Sequence, residues 1–159
     1  MKNNITIVAQ QLIAKLKKQY PLFTGRTTSI GELQDLQKNI NIKLPEWYFD
    51  LYSSVNLIDA EFGFREFEAD GDYDGISFII VGDIKDILDE SLKYSPGMNV
   101  LEEGYIFFGS CSHGSGDPIF LNIKIENEQD PPVFRIYHDD NSIVQISNSL
   151  SELFNNAKI

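Results

Sequence analysis

Cys111 and His113 stand two residues apart in a run of small residues, Gly109-Ser110-Cys111-Ser112-His113-Gly114-Ser115-Gly116-Asp117. In extended backbone, side chains at i and i+2 share a face, so this thiol and imidazole could meet. Such a pair attacks a substrate only when the thiol is ionised, a third group orients the imidazole and donors await an oxyanion. No third group can be named from the sequence, and a half-buried lone thiol is the plainer reading. His113, Asp117, His138, Asp139 and Asp140 are residue types that hold metals. They lack the spacing of a helical His pair or of H-E-x-x-H, and Asp139-Asp140-Asn141-Ser142 is ordinary turn chemistry. Asp70-Gly71-Asp72-Tyr73-Asp74-Gly75 opens like a calcium loop, with carboxylates at alternate positions. The match then stops, because Val81 falls where a bidentate Glu is required and the flanks read as strands. Gly114 and Gly116 lack the lysine and the following helix of a phosphate cradle. The reading is a non-enzyme with no catalytic residue, no metal and no cofactor.

Charge is the chemistry that remains. The chain has a net charge of −11, unevenly placed. Residues 1–38 hold six basic and two acidic side chains, whereas residues 39–159 hold seven basic and 22 acidic ones. Such a body repels nucleic acid phosphates and attracts a cationic protein. An acidic surface also keeps a protein soluble without further purpose. Within residues 59–74 there are seven acids against Arg65 alone. Their mutual repulsion costs stability unless they are well solvated or a cation arrives. Glu61, Glu66, Glu68, Asp70, Asp72 and Asp74 are therefore expected on a partner-facing surface. His113, Ser115 and Asp117 in the glycine loop form a second candidate patch.

The elements that must position these residues follow from periodicity. Ile5, Val8, Leu12, Ile13 and Leu16 predict an amphipathic helix with lysines outside, ended by Pro21. Ser29-Ile30-Gly31-Glu32 reads as a capping box for a second helix with the stripe Ile30, Leu33, Leu36 and Ile40. Pro45 suits the start of a third helix that buries Trp47, Tyr48, Leu51, Tyr52 and Val55. Strands are predicted at 61–69, with a bulge or sheet edge near Phe67, and at 76–81. Asp83 caps a helix with the stripe Ile84, Ile87, Leu88 and Leu92. A loop is expected at 95–103 and a short strand at 105–108, broken by Gly109. Ile119, Leu121, Ile123 and Ile125 alternate as a strand with one buried face. Strands at 133–138 and 143–146 lead to a second capping box, Ser149 to Glu152, and a short terminal helix. Aromatics such as Trp47, Tyr48, Phe107, Phe108 and Phe120 are assigned to the core, and any aromatic left outside is a candidate anchor for a partner. Helices, then adjacent strands with short connections, then one helix make an α+β domain over residues 1–159 with a mainly antiparallel sheet of five or six strands.

No apolar run approaches the roughly 18 residues that span a bilayer, and the first twenty residues do not read as a signal peptide. A single cysteine excludes an internal disulfide and fits a reducing compartment, so a cytoplasmic location is expected.

Four segments together resemble the SUKH superfamily, in the branch that includes a fungal cell-wall assembly regulator and many bacterial immunity proteins. Leu44-Pro45-Glu46-Trp47-Tyr48 is similar to its Leu-Pro-x-x-Tyr helix start. Tyr105-Ile106-Phe107-Phe108-Gly109 through Gly114-Ser115-Gly116-Asp117 is similar to its strand, glycine loop and Gly-Asp. Pro132-Val133-Phe134, with Tyr137-His138-Asp139 behind it, resembles its Pro-Val-Tyr strand and polar turn. Ile146-Ser147-Asn148-Ser149-Leu150 through Glu152-Leu153-Phe154 resembles its terminal helix, with Ser147 in place of Ala and Leu150 in place of an aromatic. The resemblance implies a SUKH-like fold and a binding module. Most bacterial members are immunity proteins that hold a cognate protein toxin inactive, often one that acts on nucleic acid. Such a toxin is usually basic, which gives the acidic body a purpose. The alternative is a regulatory interaction module without a toxin partner. Neither reading involves direct nucleic acid contact or a membrane.

Overall fold

The computed structural model describes residues 4–113, 116–124 and 129–159, with His113 described in its backbone alone. Six α-helices and a six-stranded antiparallel sheet build the α+β fold among these residues.

Helix α1 (Asn4–Gln19) buries Ile5, Val8, Leu12, Ile13 and Leu16 along one stripe. Lys17 and Lys18 lie in its last turn, where the helix dipole favours cations. In α2 (Ile30–Ile40), the Ser29 hydroxyl accepts the Glu32 N–H at 3.1 Å, and Asn41 ends the helix in the left-handed region. Leu33, Leu36 and Ile40 are buried, whereas Ile30, at the first turn, is exposed. Helix α3 (Glu46–Ser54) buries Trp47, Tyr48, Leu51 and Tyr52, with the two tyrosine rings stacked at 4.6 Å. Helix α4 (Ile84–Leu92) starts with a complete capping box: Asp83 accepts the Asp86 N–H at 2.9 Å, and Asp86 accepts the Asp83 N–H at 3.1 Å. The sequence expects only a single cap there. At Ser149, which precedes α6 (Leu150–Asn155), the hydroxyl accepts the Glu152 N–H at 3.1 Å.

The strands run as a meander in the order β1 (Glu61–Arg65), β2 (Ile76–Val81), β3 (Tyr105–His113), β4 (Ile119–Asn122), β5 (Val133–Ile136) and β6 (Ile143–Ser147). Three elements differ in kind from the sequence prediction, beyond strands that end earlier than expected. The expected loop at 95–103 contains a short helix, α5 (Gly97–Val100), and a 3₁₀ turn (Leu101–Glu103). Gly97 lies so close to the Glu90 carbonyl oxygen that a Cβ would stand 2.0 Å from it, so this segment is seated on α4 by close backbone approach. Gly109 does not break its strand. It pairs with Val81 on one side and Ile119 on the other, beside a register shift after Phe107. A Cβ there would lie 2.6 Å from the Ile80 carbonyl oxygen, so glycine serves as a bulge residue inside a long strand. Finally, β4 is buried on both faces rather than one. Phe120 packs edge-on against Phe107 at 6.1 Å, while Phe62 and Phe108 meet Phe154 of α6 at 5.9 and 6.2 Å. The predicted alternation beyond Asn122 reaches Ile125, which lies outside the described residues.

Candidate partner-binding surface

The β1–β2 connection carries the acidic turn. Glu66 N–H and Phe67 N–H both donate to the Gly75 carbonyl, at 2.9 and 3.2 Å, which is the two-against-one pattern of a bulge. Asp70 and Tyr73 then exchange both backbone bonds, at 2.9 and 3.0 Å, and Gly71 takes a positive φ between them. The Asp74 carboxylate accepts the Ile76 N–H at 2.9 Å, and Arg65 donates to the Asp74 carbonyl at 2.9 Å. Glu68, Asp70, Asp72 and Asp74 are thereby all held facing solvent. Phe67 and Tyr73 stand among them, 50% and 46% exposed, with ring centres 6.5 Å apart. The bulge expected near Phe67 is present, but β1 ends at Arg65.

Two of the expected surface acids are not on the surface. The Glu66 side chain is 4% exposed and faces Arg135, itself 1% exposed. Arg135 grips it with two bonds, Nε at 2.5 Å and Nη2 at 2.7 Å, and Ser77 adds a hydroxyl donor at 2.7 Å. Arg135 also donates to the Asp117 carbonyl and lies 3.7 Å from the Cys111 sulfur. Burial works to lower the Arg135 pKa, but the bonds and charge of Glu66 outweigh it and hold the pKa above its ordinary value. This one guanidinium ties β5 to the end of β1, to β3 and to the segment after the glycine loop. Asp117 is the other inward acid, 5% exposed. Its carboxylate accepts the His138 backbone N–H at 3.0 Å and meets His138 Nδ1 at 2.5 Å.

The remaining candidates are scattered. Glu61 sits at the opposite end of β1 from the turn, where its carboxylate accepts the Ser112 hydroxyl at 3.0 Å. His113 pairs in backbone with Phe78 of β2. Ser115 lies outside the described residues. Asp59, counted with the acidic cluster by sequence, is bound by Arg26 through bonds of 2.6 and 2.9 Å. Among the described residues, no three His, Cys, Asp or Glu side chains converge as a metal site. The acidic surface is thus smaller than expected, a turn of four carboxylates with two aromatics.

A family model described as SMI1 / KNR4 family (SUKH-1) matches residues 27–156. The chain belongs to this family. The match takes in the acidic turn, Arg135 and every segment on which the resemblance rests, and leaves out α1. No curated protein matches the chain. SUKH-1 is a family of protein-binding domains that includes immunity proteins.

Three structural features of this surface and its support are not legible in the sequence. Phe67 and Tyr73 fall only under the general expectation that an aromatic left outside is a candidate anchor. Arg135 carried no local signal at all, since a lone Arg in an apolar strand says nothing of its partner. Asp117 and His138 stand together in the sequence only as residue types that hold metals, and a bond between them across 21 residues has no local signal.

That link has a pH signature. Asp117 through its hydrogen bond, and Asp139 through its charge, raise the His138 pKa above 6.5. A pKa raised by folding adds stability below the unfolded-state value, about 6.5, and that stability is lost as pH rises through the folded-state value. An NMR titration of the imidazole is expected to place its midpoint above 6.5 in the wild type and closer to 6.5 in Asp117→Asn. A wild-type midpoint at or below 6.5 would contradict the link.

Proposed function

We propose that this SUKH-1 protein is an immunity protein of a bacterial polymorphic toxin system, binding and occluding a basic, nucleic-acid-targeting toxin domain in the cytoplasm. The observation that carries the reading is the turn at 68–74. It presents four exposed carboxylates around two half-exposed aromatic rings, on a hairpin fastened inside by Glu66 and Arg135. Carboxylates spaced along a turn can take the place of phosphates before a cationic cleft, and desolvated aromatics supply the anchoring contacts of an interface. Family membership supports the class of function, and the sign of the surface supports the class of client. The mechanism needs no covalent chemistry, because occupying the cleft is sufficient to exclude the toxin's substrate.

The test is co-expression with candidate basic toxin domains, starting with any encoded beside this chain's gene. Growth is expected to be rescued, and the two proteins are expected to purify as a complex that dissociates with rising salt. Persistent growth arrest with no complex would overturn the reading.

A further inference from the structure

Strand β6 is an outer strand of the sheet, and its protection is confined to a bulge at its far end, where the register with β5 shifts past Ile146. Ile143, Val144 and Gln145 are exposed, and the five residues include no charge and no proline. Outer strands with neither are open to pairing with another chain. The direction of its backbone groups can be worked out. Tyr137 N–H donates to the Ser142 carbonyl at 3.0 Å, so Ser142 turns toward β5. Alternation then turns Val144 toward β5, and Ile143 and Gln145 outward. Among the described residues, no backbone group pairs with the outer edge of β6.

Across a groove of about 670 Å³ stands the far edge of the same curled sheet, at Phe64 and Arg65 of β1, with Glu152 and Leu153 of α6 between the two edges. At one point of this seam Gly63 of β1 and Lys158 exchange both backbone bonds at 2.7 Å, as an isolated bridge. The edge of β1 is thus paired at Gly63, whereas β6 is open.

We propose that an extended segment of the protein client adds to β6 as a further antiparallel strand. The proposal rests on the reading of this domain as a protein binder. The occupant is a client segment with a basic residue at the Ile143 end, beside the exposed Asp139 and Asp140 of the turn that leads into β6, and none at the other end, where Arg65 and Lys158 line the groove. A second copy is disfavoured by charge, since each copy carries −11. Backbone bonds to Ile143 and Gln145 supply affinity, and pairing of a flexible client segment fixes its register beside the acidic surface.

The probe is an eight-residue peptide of alternating threonine and valine with a lysine at its C-terminal end, which antiparallel pairing places beside Ile143, together with a twin N-methylated along one edge. Fluorescence anisotropy and amide exchange read binding. The plain peptide is expected to bind the wild type and to slow exchange at Ile143 and Gln145. Gln145→Pro removes one outward N–H and leaves the β5 ladder intact, so affinity is expected to fall about tenfold. Should Gln145→Pro not fold, the N-methylated twin makes the same test on the wild-type protein and is expected to bind about tenfold more weakly. Equal binding by Gln145→Pro or by the twin overturns the proposal, as does an absence of protection at Ile143 and Gln145. A wild-type dimer in sedimentation that Gln145→Pro dissociates also overturns it, by giving the edge to a second copy. Lost peptide binding with intact growth rescue removes the edge proposal alone, whereas failed rescue with intact peptide binding removes the immunity reading alone.

Discussion

Arg135→Ala is expected to lower the unfolding free energy by about 3–5 kcal/mol, the cost of leaving one partner of a buried ion pair without the other. For a chain of this length each kcal/mol moves the melting temperature by about 2–4 °C, so a fall of about 6–20 °C should be seen by calorimetry. The size follows from geometry. Both side chains are nearly inaccessible, at 1% and 4%, and Arg135 supplies two of the donors that hold Glu66. Removing it strands a carboxylate where water cannot reach it, and also frees the Asp117 carbonyl. The double variant Glu66→Met, Arg135→Met is expected to regain most of the loss, because a well-packed apolar pair avoids the desolvation cost of both charges. A loss in Arg135→Ala no greater than that of an exposed pair, roughly 1 kcal/mol, would show that the guanidinium is not structural. The same variant should speed amide exchange at 68–74 before global unfolding, since Glu66 is the inner root of that turn.

The range of a signal along the chain decides what the sequence can disclose. Helices α1 to α3 are legible because a buried stripe repeats every three or four residues and the caps are local. The acidic turn is legible for the same reason: Asp and Gly at 70–75 encode their own geometry, with the Asp74 carboxylate bonding two residues on. Glu66 reads like its neighbours and is not one of them, because its partner lies 69 residues away. The same holds for Asp59, neutralised by Arg26 from 33 residues upstream, and for Asp117, bound to His138 at a separation of 21. Glycine misleads in both directions. Gly109 looks like a breaker and is a bulge in mid-strand. Gly97 looks like loop and permits a helix to sit on α4. In each case a tertiary approach decides what the residue does, and no window of local sequence contains it.

Converting Glu68, Asp70, Asp72 and Asp74 to their amides is expected to slow association with the co-purifying toxin domain by about tenfold or more at low salt, with little change in dissociation. Amides are the right substitution here, because Asn at 74 keeps the oxygen that accepts the Ile76 N–H and so preserves the turn. Four charges are removed without removing packing, and the variant should fold at least as stably as the wild type once their mutual repulsion is gone. Rising salt should erase the difference, since near 0.15 M fields from exposed groups decay over about 8 Å. Phe67→Ala with Tyr73→Ala is expected to give the opposite signature, a faster dissociation and an almost unchanged association rate, because half-exposed rings act after contact and not before it. The two variants separate the two parts of the surface: steering belongs to the carboxylates and residence time to the rings. Stopped-flow association rates at low salt that do not move with the four amides would mean that the client docks elsewhere, and that the turn is merely solvated.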